Sequence, residues 1–235
     1  MSDLSAPFLG WPGGRHLRLA ALVSLVGGLW FVLVYSGCDA ITAHRDARVR
    51  IHFDWETKIP FVPDAVLVYM SIYPLFFAAP FVLRQRQEFL ALAVTLNTVI
   101  LAGGLGFLLL PAQLAFPPSD ELGLFPHLFR FADRLNLTYN LVPSLHVALS
   151  VACIGAFVSK TGQAGRILLW SWSAAIAAST LLTHQHHLVD VVSGGGLGWA
   201  MSRFVFPLLQ RARFMSLHPP ESCENAAAVT RARRR

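Results

Sequence analysis

Residues 89–116 read FLALAVTLNTVILAGGLGFLLLPAQLAF, a run of 28 residues without Asp, Glu, Lys or Arg. About 20 apolar residues suffice for a helix to cross the hydrocarbon core of a bilayer. Further apolar runs cover residues 19–37, 65–83, 141–159, 167–183 and, roughly, 188–209. A backbone in lipid must satisfy its own hydrogen bonds, and the short alternating segments of a barrel do not occur. The runs therefore predict an all-α, integral membrane bundle of six helices.

The composition agrees with a membrane protein. Of the 235 residues, 54% are hydrophobic and 14% are charged, whereas an average soluble domain has about 25% charged residues. These values exclude a disordered chain, a disulfide scaffold and an ordinary cytosolic enzyme. Residues 1–235 show no repeat and no separate soluble part, so we expect a single transmembrane domain. The net charge of +6 arises from basic residues that flank the apolar runs, so no nucleic-acid partner is expected.

The basic residues also predict the orientation. If the N-terminus is cytoplasmic, 13 of the 19 Lys and Arg residues lie on the cytoplasmic side, as the positive-inside rule favours. We expect both termini in the cytoplasm, residues 211–235 as a basic tail, and the bacterial inner membrane as the location. An alternative is removal of the first span, since Tyr35-Ser36-Gly37-Cys38 faintly resembles a lipoprotein cleavage site.

Two of the outer loops that connect the spans are long. Residues 39–64 mix charges of both signs with aromatic residues and could lie along the membrane interface. Residues 117–140 begin with two prolines and could form a lid or funnel over a site between the spans. In the sixth span the small residues Gly194, Gly195, Gly196 and Gly198 predict close packing against a neighbouring helix.

A histidine and an aspartate mark the start of the sixth span. His186 and Asp190 are four residues apart, so on a helix they share one face. Asp190 can accept the Nδ1 proton of His186, which leaves Nε2 free to act as a nucleophile or base. An ionisable residue in a span is a functional candidate. The alternative is a polar pair that merely satisfies its own hydrogen bonds at a helix end.

A second element, Pro143-Ser144-Leu145-His146, lies at the outer start of the fourth span. Ser144 can cap that helix, and a helix N-terminus offers free N–H groups to an anion. By topology the element lies on the same membrane face as His186. One histidine that attacks and one that protonates suffice for phosphoryl transfer through a phosphohistidine. The candidate active site therefore lies at the non-cytoplasmic ends of helices four and six.

Together, Pro143-Ser144-Leu145-His146 and Ser179-Thr180-(five residues)-His186-(three residues)-Asp190 resemble two signatures of the type 2 phosphatidic acid phosphatase superfamily. The resemblance covers roughly residues 56–203. It implies that His186 is the nucleophile, Asp190 its orienting partner and His146 the general acid. It also implies substrate-binding roles for Ser144 and Ser179, and a lipid phosphate as the substrate.

The sequence departs from the family pattern at its phosphate-binding cations. The signature K-(x6)-R-P is not found before Pro143, and Thr180 stands where the family has Arg. Some cation must still neutralise a phosphate dianion, and our candidates are Arg130, Arg134 and Lys58. The stretch around Glu56 resembles a divergent branch that includes the fungal inositol phosphorylceramide synthases, which move a phospho-headgroup between lipids.

We therefore predict a membrane lipid phosphatase that needs no metal or organic cofactor. Transfer of the phospho group to a second lipid is the main alternative, and a proton-coupled lipid transporter using His and Asp is another. The triplet His184, His186 and His187 also allows a zinc site, although zinc would need three or four converging ligands.

Overall fold

The computed structural model describes residues 7–117, 119 and 121–212. Their α-helices are α1 Gly14–Ala43, α2 Val66–Tyr69, α3 Ile72–Val82, α4 Arg86–Leu109, α5 Pro126–Leu135, α6 Leu145–Phe157, α7 Gln163–Leu182, α8 Leu188–Ala200 and α9 Phe206–Arg211. Short 3-10 turns cover Asp54–Lys58, Pro63–Ala65 and Val158–Lys160, and a π-helical turn, Met201–Val205, joins α8 to α9. Across the described residues the only β-pairing is an isolated bridge between Val49 and Ala112. The all-α prediction is thus confirmed.

Four helical stretches are long and apolar enough to cross a membrane, namely Gly14–Ala43, Pro63–Val82, Arg86–Leu109 and Gln163–Leu182. They coincide with the first, second, third and fifth apolar runs of the sequence. The fourth run gives a shorter apolar helix, Leu145–Lys160, because its first residues form a bend at Val142 and Pro143 and the helix begins only at Leu145. The sixth run is helical but contains the π-helical turn.

The six-helix count is not confirmed, because the described residues contain seven α-helices of ten residues or more. The additional helix is α5, within the outer loop expected to form a lid. Pro126 stands in its first turn, where a missing N–H costs nothing. Phe129 and Ala132 bury one face of α5 against Val66 and Tyr69. This loop therefore folds as an amphipathic helix packed on α2.

Helix α6 forms the centre of the bundle. Ten of its 13 residues are buried, and it packs against α3, α4, α7 and α8. The approach of α8 is close because Gly194 faces the carbonyl of Ser144 and Gly198 faces that of Ala148, where a Cβ would collide with backbone. The close packing predicted from these glycines is thus present, and it fixes the start of α8 beside the start of α6.

Helix α1 lies at the periphery. It packs on α4, where Val34 and Cys38 fit against Gly104. Its other side exposes a continuous apolar surface that includes Leu22, Leu25 and Leu29. An exposed apolar face of this size is typical of a surface covered by lipid.

The two ends of the bundle collect different segments. At one end, Lys160 pairs with Glu88 and Arg84 donates to the carbonyl of Pro7. At the other end lie the chain before α2, the loop before α6 and the turn between α7 and α8, which carries His186. We call this second end the histidine end.

Candidate active site

His186 and Asp190 form a buried pair at the start of α8. The Nδ1 atom of His186 lies 2.8 Å from Oδ2 of Asp190, as the four-residue spacing predicts. Asp190 is fully buried, and both its oxygens accept the backbone N–H of His187 at 3.0 Å. Because Nδ1 donates to the carboxylate, the lone pair of the neutral ring is on Nε2. The pair is thus arranged to present Nε2 of His186 as a nucleophile or base.

The turn between α7 and α8 holds His186 through backbone bonds. The carbonyl of Thr180 accepts the N–H groups of Gln185 at 3.0 Å and His186 at 3.2 Å. His184 has a φ of 56°, which is uncommon for a residue with a side chain. Its ring stacks on Phe116 at 3.9 Å, and its Nε2 donates to the carbonyl of Ile59 at 2.9 Å. These contacts stabilise the left-handed backbone conformation of His184 and thereby the turn.

A buried glutamate that the sequence did not single out supports the same turn. Oε2 of Glu56 accepts the backbone N–H of Leu188 at 2.8 Å and lies 3.3 Å from Nδ1 of His187, while Oε1 accepts the N–H of Phe53 at 2.9 Å. Both Glu56 and His187 are fully buried. We call this group of bonds the Glu56 clamp.

The tautomer of His187 follows from its neighbours. Ala115 donates its N–H to Nε2 of His187 at 3.0 Å, so the ring proton is on Nδ1, which donates to Glu56. Burial lowers the pKa of His187, which keeps the ring neutral near pH 7. His187 is therefore a structural residue of the turn, with both nitrogens engaged.

His146 lies in the first turn of α6. Its ring stacks on Tyr69 with centroids 3.8 Å apart, and its Nε2 is buried without a hydrogen-bond partner. The preceding Ser144 caps α6 as predicted, since its hydroxyl accepts the N–H of Val147 at 3.4 Å. The backbone N–H of Ser144 donates to the carbonyl of Asp190 at 2.9 Å, which joins the starts of α6 and α8.

A cavity of about 350 Å³ brings the two histidines together, because His146 and His186 both line it. Asn136 and Asn140 line the same end. Asn136 is held by the hydroxyl of Tyr69 and by Gln185, each at 2.7 Å, while Oδ1 of Asn140 is buried without a partner. Unpaired buried polar atoms at a cavity end are suited to a polar ligand group.

The other predicted substrate-binding residues lie away from the cavity. The buried hydroxyl of Ser179 donates to the carbonyl of Ile176 in its own helix. Arg130 and Arg134 are exposed on α5, and Lys58 is exposed before α2. Among the residues that the structure describes, no Lys or Arg lines the cavity. The basic tail from residue 213 onward lies outside the described residues.

The histidine triplet does not converge. His184 binds Ile59, His186 binds Asp190 and His187 binds Glu56 and Ala115. Within residues 7–117, 119 and 121–212, no three His, Cys, Asp or Glu side chains are arranged to hold a metal ion.

Sequence spacing predicted the pair of His186 and Asp190 but not the residues around it. Glu56, Asn136 and Tyr69 reach the site from segments far away in the chain, so no local spacing indicates them. The only signal for Glu56 was its position in a stretch that resembles a divergent branch of the family.

The fold and the site define a class, a helical membrane protein with two histidines on one cavity at one end of the bundle. The chain belongs to the PAP2 superfamily, whose family model matches residues 90–214, including His146, His186 and Asp190. No curated protein and no solved structure matches the chain. Members of the superfamily are phosphoesterases, so this protein is an enzyme of the phosphatase or phosphotransferase type.

Proposed function

We propose that the protein is a membrane lipid phosphatase that cleaves a lipid phosphate ester at the outer face through a phosphohistidine on His186. The observation that carries the proposal is the pair of His186 and Asp190 on a cavity that His146 also lines. The cavity is mainly apolar and has most of its polar groups at the histidine end, which suits a ligand with an apolar body and a polar head.

The reaction has two balanced steps. Nε2 of His186 attacks phosphorus, the bond from phosphorus to the lipid oxygen breaks, and His146 gives that oxygen its proton. Water then attacks the phosphohistidine, His146 takes a proton from the water, and the P–N bond breaks to release phosphate. Asp190 keeps the proton of His186 on Nδ1 and stabilises the charge that develops on the ring.

Anion binding at this site uses neutral groups in addition to the histidines. The unpaired Nε2 of His146 and the amide of Asn136 stand at the cavity end. An arriving anion favours the protonated form of His146, which is the form that a general acid requires. Arg130 and Arg134, on the exposed face of α5, are the proposed additional cations, and Lys58 is a further one.

Transfer to a second lipid is the second candidate. It is favoured by the lack of Lys or Arg among the described residues that line the cavity. A phosphodiester carries one negative charge and needs less neutralisation than a monoester dianion. In that reaction the hydroxyl of an acceptor lipid replaces water in the second step.

The test is an assay of the purified full chain in vesicles that contain a labelled lipid phosphate, with and without a lipid alcohol as acceptor. Hydrolysis predicts release of inorganic phosphate, and transfer predicts label on the acceptor. Asp190→Asn should lower either rate by about 10⁴-fold, the loss seen when the orienting aspartate of a catalytic triad is changed to asparagine. His127→Ala, an exposed change on α5, is the control and should leave the rate unchanged. Absence of both products from the unsubstituted protein would contradict the proposal.

A further inference from the structure

The cavity that holds His146 and His186 extends far beyond the two histidines. It continues between α1, α3 and α4 and reaches Phe89 in the first turn of α4, with Ile100 lining it nearer the histidine end. At 1.5 Å per residue, the 11 steps from Phe89 to Ile100 correspond to about 17 Å. This length is close to one leaflet of the hydrocarbon core, about 15 Å.

The long part of the cavity is apolar. Leu92, Leu96 and Phe76 are typical of its lining, with Asn97 and Tyr73 as polar interruptions. Among the described lining residues, no Asp, Glu, Lys or Arg occurs. A path for ions or protons would need polar or ionisable groups along it. The lining instead suits a hydrocarbon chain.

Helix α1 supplies one wall of the cavity. Three small residues, Ser24, Gly27 and Gly28, line it there, and Ser24 and Gly28 are exposed. A Cβ added at Gly28 would meet nothing within 4 Å, and one added at Gly27 would come no closer than 3.7 Å to Asn97. These residues lie near the middle of the 30-residue helix, in the part that we expect to cross the hydrocarbon core of the bilayer. The wall thus has a side opening towards the surrounding lipid.

We call the apolar part of the cavity, from Ile100 to Phe89 along α4, the slot. We propose that the slot holds one acyl chain of the lipid substrate, which enters sideways from the bilayer past Ser24, Gly27 and Gly28. The phosphate then lies at His146 and His186 while the chain lies along α4. The inference rests on the proposed function, because it takes the bound acyl chain to be part of the substrate. The volume of about 350 Å³ is at the lower end of ligand pockets, ~300–1,000 Å³, which favours one chain rather than two. Helices α1 and α3 lie outside residues 90–214, the part of the chain that the family model matches.

The first experiment compares substrates of different chain length. Gly27→Leu places a side chain in the slot, and Gly37→Leu is the matched control, because Gly37 is on the same helix, meets no neighbour at its Cβ and does not line the cavity. Gly27→Leu should lower kcat/KM for a long-chain lipid phosphate by about tenfold or more, since each buried methylene contributes about fourfold in affinity. It should leave a short, water-soluble phosphate ester unchanged, and Gly37→Leu should change neither. Equal loss on both substrates, or no loss on the long one, would overturn the proposal.

The second experiment does not depend on turnover, and its main result comes from the unsubstituted protein. The unsubstituted protein is placed in vesicles containing a long-chain alkyl phosphate with a photoreactive group at the chain end, and the labelled peptides are identified. The slot predicts label on the buried faces of α3 and α4, with loss of that label in Gly28→Leu and retention in Gly37→Leu. Label confined to the exposed face of α1 would overturn the slot. Label in the slot without any phosphate release would support the slot and contradict the proposed function, so the two failures are distinguishable.

Discussion

His146 lies flat against the ring of Tyr69, with its Nε2 directed at no protein group. This arrangement leaves the nitrogen free to exchange a proton with a substrate oxygen. His186, by contrast, is bound at Nδ1 by Asp190, which suits a nucleophile that must attack with a fixed direction. The two histidines thus have different surroundings that match different proposed roles.

Those roles predict a split between leaving groups. A general acid matters less when the leaving group is already a stable anion. His146→Ala should therefore abolish turnover of a lipid phosphate yet still form a phosphoenzyme from an activated aryl phosphate. His186→Ala should abolish both reactions. The measurement is single-turnover release of the aryl oxide beside lipid turnover, and equal loss of both in His146→Ala would exclude its role as the acid.

At the same scale, the residues alone predicted what short spacing encodes, while topology and the family resemblance placed His146 in the same site as His186, and both line the cavity. The four-residue step from His186 to Asp190 and the position of Ser144 before a helix follow from helix geometry. Glu56 meets His187 across 131 positions of the chain, and Asn136 meets Tyr69 across 67. Such contacts depend on tertiary packing, which one sequence does not display.

At the scale of elements, the turn between α7 and α8 depends on the Glu56 clamp. Glu56→Ala would leave the N–H groups of Phe53 and Leu188 and the Nδ1 of His187 without their acceptor. An unpaired buried group costs about 1–3 kcal/mol, and the bond to His187 is the fully buried one, so we expect a loss of at least about 1–3 kcal/mol in stability together with reduced activity. Thermal unfolding of the purified protein measures the change. Glu121→Ala, at an exposed glutamate, is the control, and equal unfolding temperatures for the two variants would contradict the clamp.

The packing of α8 on α6 gives a second prediction for the elements. Gly194→Val would drive a side chain into the backbone of Ser144, whereas Gly196 has no neighbour within 4 Å of its added Cβ. Overpacking costs about 1–3 kcal/mol or more and would separate Asp190 from the start of α6. Gly194→Val should therefore lose most activity, and Gly196→Val should retain it. Comparable activity in both variants would mean that the close approach of the helices is not needed.

The existence of the helices was predicted where apolar length decides it, although their ends differ by several residues, as in α4, which ends at Leu109 and not at Phe116. The first, second, third and fifth runs became helices suited to cross a membrane. Helix α5 was not predicted, because its amphipathic pattern covers only ten residues. Those residues lie within a loop that begins with two prolines, which are typical of irregular structure. The fourth run begins with a bend at Val142 and Pro143, and the cap at Ser144 then starts the helix at Leu145.

At the scale of the whole molecule, the positions of the Lys and Arg residues predict that the histidine end faces away from the cytoplasm. Ser119→Cys, in an exposed position between α4 and α5, should react with an impermeant thiol reagent on intact cells. Ser159→Cys, exposed at the opposite end, is the matched control and should react only after permeabilisation. The reverse labelling pattern would invert the orientation.

The central claim is that His186 carries the phospho group. The most direct measurement uses His146→Ala, in which loss of the general base slows the second step, with a labelled aryl phosphate and a rapid quench that avoids acid, because phosphohistidine is acid-labile. The account predicts acid-labile label on the peptide that contains His186, and no label when His186→Ala is added. Label that persists in the double variant, or that maps to His187, would contradict it.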